Sequence, residues 1–473
     1  MTKEPSILLQ QRRFRRKLKE KEKRKQRRIA SAKQFAIDAD YRNIGKKVKN
    51  YSDAIAEFLP TTLSYLSVCK DSPLYIQNLK QPQYTEDANL MVPKNFSLVD
   101  NESETSTFLQ TVTAILFWQA CRTLRLDYVN CIFCDLATQI ILDSILKDYD
   151  KFIHRCERAS LNLNRIGIKI SSIGGNHIYD KSVQKLIHSV GSPVVLKNES
   201  SLHRSVEPYK LRYFEAREAS KLAKSGQKEI DSTTLITYLD SCLARLNKQL
   251  SSDARQDLGY ILGETLANAE EHSSLHSRYL IGYFEESKDT TRHYGLLNLV
   301  IMNYGKTIYE KFKYPEESIP FNTRCQEQMK GLSDSFHSRN IFIKDEFTEE
   351  TLWTLYSLQG GVSCIPPEIK KRGNGTIQFI ESFFKIKGDS DVDNVSRMTI
   401  WSGRARIDFD GSYHPGETLD ENGNKIGVMT FNKSGTINEK PDSRYVYSTK
   451  TYFPGTLIFA KLLINEDDIT YEK

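Results

Sequence analysis

The sequence predicts an α/β protein: a basic helical arm, a smaller α/β domain, and a C-terminal domain in which helices cover a mixed sheet. Three observations lead to this prediction. Strand-like and helix-like segments alternate between residues 92 and 191, as in a layered sheet with helices. Two adjacent segments in 277–305 are rich in β-branched and aromatic residues, and charged turn residues separate them. Residues 253–276, just before them, repeat apolar residues at helical spacing.

Changes in composition suggest where the domains begin and end. We expect the basic arm in residues 1–50, the first α/β domain in 51–200, a linker in 201–231 and the C-terminal domain in 232–466. The linker is polar and charged, with a helix expected at 210–224. At 473 residues the chain is long enough for two or three domains, each with its own core.

The positive charge of the chain is concentrated in one short segment. Residues 9–33 contain 13 Lys or Arg against two Glu, a local charge of +11. The whole chain carries +7, so the remainder sums to −4. Such a run binds polyanions, which predicts contact with nucleic acid; a solvated, partly helical tail is the alternative. Phe14 is its one aromatic residue, which argues against base stacking.

Composition also predicts a cytoplasmic protein with no membrane contact. No apolar run reaches the roughly 18 residues of a membrane span, and the basic N-terminus lacks the apolar stretch of a signal peptide. The eight cysteines are scattered, as free thiols in a reducing compartment are. Cys131 and Cys134 lie in an apolar run without a second Cys or His pair, so we expect them in the core.

The first α/β domain is predicted from five segments. They are a strand in 93–100, a helix in 105–124, a strand in 127–136, a helix in 137–156 and a strand in 164–173. The strand ending in Cys134-Asp135, followed at once by a helix, resembles a STAS-type domain. In STAS partners of anti-sigma kinases, a Ser after the Asp-containing strand is phosphorylated. Here Ala137 and Thr138 follow Asp135, and Ser144 lies deep in the helix, so the sequence departs from that pattern.

The helix predicted at Asp253–His276 carries polar residues that could take part in catalysis or bind a metal ion. Its apolar arc consists of Leu258, Ile261, Leu262, Leu266 and Ala269. Glu264, Asn268 and Glu271 gather on a neighbouring stripe, and His272 lies between the two. A solvated surface face is the alternative, but Asn is a mediocre helix former in mid-helix. A carboxylate can deprotonate a nucleophile, and an amide oxygen one turn later can ligate Mg²⁺ beside a triphosphate.

The segment E-T-L-A-N-A-E-E-H at 264–272 resembles the N-box of the Bergerat-fold (GHKL) superfamily. That superfamily includes gyrase, mismatch-repair ATPases, histidine kinases and anti-sigma-factor kinases. The resemblance implies a Bergerat-type α/β sandwich that binds ATP and Mg²⁺, with Asn268 on the metal and Glu264 as general base. The ending E-E-H, with His272 at the nucleotide site, is similar to the box of histidine-kinase-like and anti-sigma-kinase domains.

A second segment resembles the adenine-binding box of the same superfamily. Asn303-Tyr304-Gly305-Lys306-Thr307 stands where the family has D-x-G-x-G, with Asn303 in place of the Asp and Thr307 in place of the second Gly. The resemblance implies that Asn303 accepts a hydrogen bond from the adenine amine, without the charge assistance of an Asp. Gly305 suits both a tight turn and a close approach of nucleotide. A strand ending in an ordinary turn is the alternative.

A third segment, Lys370 to Thr376, resembles the family's glycine box in the lid region. It opens an apolar helix, and backbone N–H groups at such a position face phosphate. The implied phosphate contacts are Gly373, Gly375 and Thr376, with Arg372 or Lys371 countering the charge. Segments 398–409 and 454–464 resemble the closing strands, so the resemblance covers residues 230–465.

Three functions follow from these expectations. The first is an ATPase whose nucleotide state switches a domain arrangement or the binding of a protein partner. The second is a protein serine/threonine kinase of the anti-sigma type. The third is a non-catalytic module, held on nucleic acid by the basic arm, in a bacterial regulatory or defence assembly. A homodimer is common in the family, but no residue of this sequence specifies one.

Overall fold

The computed structural model describes most of the chain. The described residues are 21–23, 25, 36–195, 205–215, 227–250, 252, 255–256, 259, 262–263, 265–266, 268–269, 274–275, 277–288, 293–316, 320–339, 347–366, 377, 380, 396–419, 423 and 425–465. In these ranges no helix has the length and apolar character needed to cross a membrane.

Helices and strands alternate along the chain. The helices are α1 (Tyr51–Phe58), α2 (Thr61–Val68), α3 (Glu102–Trp118), α4 (Leu136–Arg158), α5 (Lys181–Val190), α6 (Gln227–Ala244), α7 (Ile308–Lys313), α8 (Thr323–Arg339) and α9 (Glu349–Ser357). The strands are β1 (Asp87–Met91), β2 (Asn95–Phe96), β3 (Thr123–Asp127), β4 (Phe133–Cys134), β5 (Ser172–Asn176), β6 (Val206–Glu215), β7 (Ser277–Lys288), β8 (His293–Tyr304), β9 (Arg397–Phe409), β10 (Gly416–Leu419), β11 (Lys425–Val428) and β12 (Val446–Asn465). The protein is therefore α/β, as predicted, with both parallel and antiparallel sheets.

The chain divides into two compact units: residues 1–60 with 147–169, and residues 61–146 with 170–473. In the first unit, the guanidinium of Arg158 pairs with Asp38 at 2.6 Å and lies over the ring of Tyr41. Arg155 donates to the carbonyl oxygen of Phe58. These contacts tie the N-terminal helices to the end of α4. The domain boundaries expected from composition remain predictions.

The second unit is built around a five-stranded sheet with the order β6-β7-β8-β12-β9. All its described pairings are antiparallel. The expectation of a mixed sheet in this half is therefore wrong for the described strands. For β7 and β8 the reason is a connection of only four residues, because so short a connection between consecutive strands requires antiparallel pairing.

Helices cover one face of this sheet. Leu297, Leu299 and Ile301 alternate along β8, and they share one core with Leu262 and Leu266 of the helix that carries Asn268. Helices α6, α8 and α9 complete this core with Leu239, Leu243, Met329, Phe336, Trp353 and Leu355. The sheet therefore meets a helical layer on the side to which the odd-numbered residues of β8 point.

The opposite face of the sheet packs on α3, α4 and the loop between β2 and α3. The hydroxyl of Tyr304 in β8 lies 3.2 Å from the Ser144 hydroxyl in α4. From β9, the Arg406 guanidinium donates to the carbonyl oxygen of Val99 at 2.7 Å. The five-stranded sheet is thus the middle layer of three within this unit.

A smaller parallel sheet, with the order β1-β3-β5, lies beside these helices. Its strands are five residues long and are joined by α3 and by α4 with the segment that follows it. Its burial alternates: Leu124 and Leu126 are buried, whereas Arg125 is exposed. One face of the small sheet therefore carries apolar side chains and the other is polar.

The long elements agree with the sequence predictions, and the short ones do not. Helices α3 and α4 and strands β7, β8, β9 and β12 are confirmed. A strand was expected at 127–136. The structure instead has β3, which ends at Asp127, and within the expected range it has only the two-residue strand β4. The strand expected at 93–100 is reduced to β2, and β1 was not predicted.

Two further expectations fail for physical reasons. In 164–173, Ile166, Ile168 and Ile170 alternate and are buried, yet they do not belong to a strand. Only residues 172 and 173 of this segment do, because the alternation indicates burial and not strand pairing. The predicted linker contains β6, which pairs with β7. A helix is therefore wrong for 210–215, and 216–224 lies outside the described residues.

Candidate functional site

The helix that carries Asn268 has the predicted apolar face. Leu262 and Leu266 are fully buried, and Ala269 packs against the same core. Asn268 is helical and half-buried, on the stripe beside that face. Leu258, Ile261, Glu264, Glu271 and His272 lie outside the described residues.

Asn303 lies at the end of β8 with an unsatisfied amide. The residue is only 1% exposed, and its Nδ2 has no hydrogen-bond partner among the described residues. By strand alternation its side chain shares the face of Ile301, towards the helical layer. A buried amide without a partner costs about 1–3 kcal/mol. Its position fits a bound group that supplies the missing partner.

Gly305, which directly follows β8, lies against the turn residue Ser274. Its φ is +129°, in a region that favours glycine, and a Cβ there would lie 2.6 Å from the Ser274 hydroxyl. The Lys306 amide donates to that hydroxyl at 3.1 Å. Ser274 follows Asn268 by only six residues. The end of β8 therefore contacts the segment that follows Asn268, and the group that approaches Gly305 is Ser274.

Thr307 serves a structural role at the start of α7. It is fully buried, and its hydroxyl accepts from the Glu310 amide at 3.1 Å. The Glu310 carboxylate accepts in turn from the Thr307 amide at 2.7 Å. This capping box satisfies two N–H groups at the helix start. The sequence placed Thr307 beside the nucleotide, and the structure uses its hydroxyl as a cap.

A group of hydroxyls lies next to Asn303 on the neighbouring strands. Thr456 in β12 is in register with Asn303, and its hydroxyl is 3.0 Å from that of Ser402 in β9. Ser402 Oγ also accepts from the Ile308 amide at 2.9 Å. Sequence reasoning recognised a closing Gly-Thr strand but did not include Thr456 or Ser402 in the site. Only the strand register brings them to Asn303, and no local motif gives that register.

The predicted phosphate contacts Arg372, Gly373, Gly375 and Thr376 lie outside the described residues. The helix expected after them is supported at two positions, because Ile377 and Ile380 are helical and buried in the core of the helical layer.

The segment that resembles a STAS domain buries its hydroxyls. Asp135 caps α4 by accepting from the Thr138 amide at 2.6 Å and from its hydroxyl at 3.0 Å. Burial raises the pKa of the Asp135 carboxyl above its usual value. Thr138 and Ser144 are buried, and the Ser144 hydroxyl donates to the carbonyl oxygen of Ile141. Neither hydroxyl is accessible to a phosphoryl donor in this conformation.

The described residues contain no cluster of three or more His, Cys, Asp or Glu side chains that could hold a metal ion. A nucleotide-bound Mg²⁺ does not require one, because it keeps several waters and takes other ligands from the phosphates. The half-buried amide of Asn268 fits a single protein ligand of that kind.

Comparison with protein-family models, with curated proteins and with solved structures gives no match for this chain.

Replacement of Asn303 by Leu tests whether its amide is unsatisfied. We expect the free energy of unfolding to stay unchanged or to rise by up to about 2 kcal/mol, because the buried Nδ2 has no hydrogen bond to lose. Gln359→Met is the matched control: this buried amide donates to Leu355 and Met429 carbonyls and accepts from the Met429 amide. It should lose about 1–3 kcal/mol. Urea unfolding followed by tryptophan fluorescence measures both, and equal losses would contradict the assignment.

Proposed function

We propose that the C-terminal half binds Mg²⁺-ATP as a Bergerat-type domain and acts as a nucleotide-dependent switch in a multi-protein regulatory or defence assembly. One observation carries the proposal. The buried, unpartnered Nδ2 of Asn303 lies near the end of β8, where Gly305 and Lys306 contact Ser274, six residues after Asn268.

The chemistry of the Asn303 amide suits adenine. An Asn side chain offers one acceptor and one donor side by side, and adenine offers a matching amine donor beside a ring nitrogen acceptor. Asn therefore pairs with adenine through two hydrogen bonds in other recognition sites. A nucleotide there would supply the partner that Nδ2 lacks among the described residues. The nearby Thr456 and Ser402 hydroxyls add further hydrogen-bonding capacity.

The remaining roles in the proposal come from the resemblance. Asn268 would hold Mg²⁺, and Glu264 would orient the attacking water or hydroxyl, with His272 beside it. Gly373, Gly375 and Thr376 would line the phosphates, with Arg372 or Lys371 countering their charge. Transfer of a phosphoryl group needs mainly positioning and charge neutralisation, so these groups suffice.

An anti-sigma-type kinase is the second candidate. Its acceptor would lie on a protein partner, because Thr138 and Ser144 of this chain are buried. A non-catalytic module is the third, and Asn in place of the family's Asp favours it. A homodimer is compatible with each of them.

Calorimetric titration with ATP tests the nucleotide site. We expect the native chain to bind ATP in a magnesium-dependent manner and Asn268→Ala to lose that dependence, because an amide ligand of the metal is removed. Asn298→Ala is the control, since Asn298 is a buried amide of β8 on the opposite alternation from Asn303. No binding by the native chain would overturn the proposal.

Glu264→Gln separates catalysis from simple binding. The amide cannot accept a proton, so ATP turnover should fall by about 10²–10⁴-fold while ATP affinity is kept. Glu271→Gln, on the same helical stripe, should leave turnover unchanged. Phosphate release and transfer to added protein partners measure the effect. An unchanged rate in Glu264→Gln would remove this residue from the mechanism, and absent turnover in the native chain would favour the non-catalytic module.

The basic arm supports a separate proposal of contact with nucleic acid. Deletion of residues 1–33 removes the local charge of +11 in 9–33. We expect the affinity for duplex DNA to fall and its dependence on salt to flatten, because fewer counterions are released on binding. Fluorescence anisotropy at several salt concentrations measures both quantities. If the shortened chain kept the same affinity for DNA and the same dependence on salt, the basic arm would not be the DNA-binding segment.

A further inference from the structure

A second set of polar groups meets at the carboxyl ends of the small parallel sheet. Met91, Asp127 and Asn176 end the strands β1, β3 and β5 and are in register with one another. Open parallel sheets bind ligands at this edge. The place is separate from the proposed nucleotide site, which lies at the end of β8 in the antiparallel sheet.

The carboxyl group of Asp127 is oriented by hydrogen bonds to both of its oxygens. The residue is 5% exposed. Its Oδ1 accepts from the Val129 amide at 3.1 Å, and its Oδ2 accepts from Asn89 Nδ2 at 3.0 Å. Burial opposes ionisation, but the hydrogen bonds from Asn89 and His177 outweigh it and hold the pKa of the Asp127 carboxyl below its usual value.

His177 is held against this carboxylate by an unusual backbone. Its φ of +54° is in the left-handed region, which non-glycine residues seldom adopt. This conformation brings Nδ1 to 3.0 Å from Asp127 Oδ1. The side chain is 48% exposed, and its ring lies 5.7 Å from that of Tyr179. A strained residue that is also partly open to solvent is a reason to look for a ligand.

Asn176 adds an acceptor without a donor. Its Oδ1 is buried and has no hydrogen-bond partner among the described residues. Because Asn176 and Asp127 are in register in a parallel pair, their side chains lie on the same face of the sheet. Gly174, two residues earlier on that face, leaves open space where a Cβ would be. The edge therefore presents a carboxylate oxygen, an imidazole nitrogen and an unsatisfied amide oxygen.

We propose that Asp127, His177 and Asn176 bind a divalent first-row transition-metal ion such as Mn²⁺. Imidazole nitrogen, carboxylate and amide oxygen are ligands that these ions accept. Neighbouring ligands with bonds of about 2.1 Å at right angles are about 3 Å apart, which is the separation of His177 Nδ1 and Asp127 Oδ1. The ion takes the Nδ1 lone pair, and the imidazole proton moves to Nε2. Asn89 and the Val129 amide keep the carboxylate oriented.

A cation accounts for the unsatisfied oxygen better than the Asp–His pair alone. That pair explains Asp127 and His177 but leaves Asn176 Oδ1 without a donor. A metal ion bound at these strand ends would give Asn176 Oδ1 a partner while Asp127 and His177 serve as the other two ligands. The surface residue His154 provides a contrast, because it lies 3.0 Å from Glu157 and 3.6 Å from Asp150 on one exposed helix face. His154 has carboxylates at a similar distance but lies on a helix surface, without a strand-end amide beside it.

Binding of Mn²⁺ to the full chain without nucleotide tests the proposal. Electron paramagnetic resonance counts free Mn²⁺, and this hard ion avoids the free thiols of the chain. We expect one site in the native chain. His177→Asn should weaken it by at least about tenfold, while the backbone is preserved because Asn enters the left-handed region readily. His154→Asn should leave the affinity unchanged.

Asn176→Ala separates a ligand from a structural residue. It should weaken Mn²⁺ binding by about tenfold without lowering the melting temperature of the metal-free protein, because Asn176 Oδ1 has no hydrogen bond to lose. Asp127→Asn should abolish binding, with folding checked by circular dichroism. Absence of Mn²⁺ binding by the native chain, or equal affinity in His177→Asn, would overturn the proposal. Loss of binding in His154→Asn would mean that surface carboxylates hold the ion. Asn268→Ala should have no effect, so failure here is distinguishable from failure of the nucleotide site.

Discussion

The pairing of β8 with β12 is the constraint on which the candidate nucleotide site depends. It places Thr456 opposite Asn303 and Gly455 opposite Tyr304. Gly455 has a φ of +150°, and a Cβ there would overlap the carbonyl of Asn303, so this register requires glycine at that position. A slip by one residue would turn Asn303 to the opposite face and place Tyr304 against the helices. The face to which Asn303 points is thus determined by the close backbone packing of Gly455 on the neighbouring strand β12.

The same strand end offers a physical route for the proposed switch. Asn303 faces the helical layer, and Tyr304, the next residue, faces the layer of α3 and α4. Tyr304 is stacked on Phe453 with ring centroids 5.7 Å apart, and its hydroxyl reaches Ser144. A ligand held by Asn303 would therefore act on two adjacent residues, of which Asn303 faces the helical layer and Tyr304 contacts the layer of α3 and α4. It would shift their arrangement only to the extent that it binds one arrangement more tightly.

The predictable part of this protein is the part with long periodic signals. The hairpin β7–β8, the strand β12 and the helix α4 repeat apolar residues over twelve or more positions, which is enough to separate a period of two from one of 3.6. Strands β2 and β4 have two residues each and leave no such signal. Contacts set by register are also invisible in the sequence, as for Thr456 beside Asn303. Asp127 and His177 are 50 residues apart, with β4, α4 and β5 between them, so no local motif relates the two.

The unsatisfied amides at the two proposed sites do not reflect a general inability of the chain to pair buried amides. Gln359, which is also buried, makes hydrogen bonds through both its nitrogen and its oxygen. Gln139, in the same layer as the small parallel sheet, donates to Asp143 and Ser192 and accepts from Cys134 and Tyr128. Asn303 and Asn176 differ from these in position, since Asn303 is next to the last residue of β8 and Asn176 is the last residue of β5. An unpaired buried amide atom destabilises the fold, and the ligands that we propose would complete the hydrogen bonds at Asn303 and the coordination at Asn176.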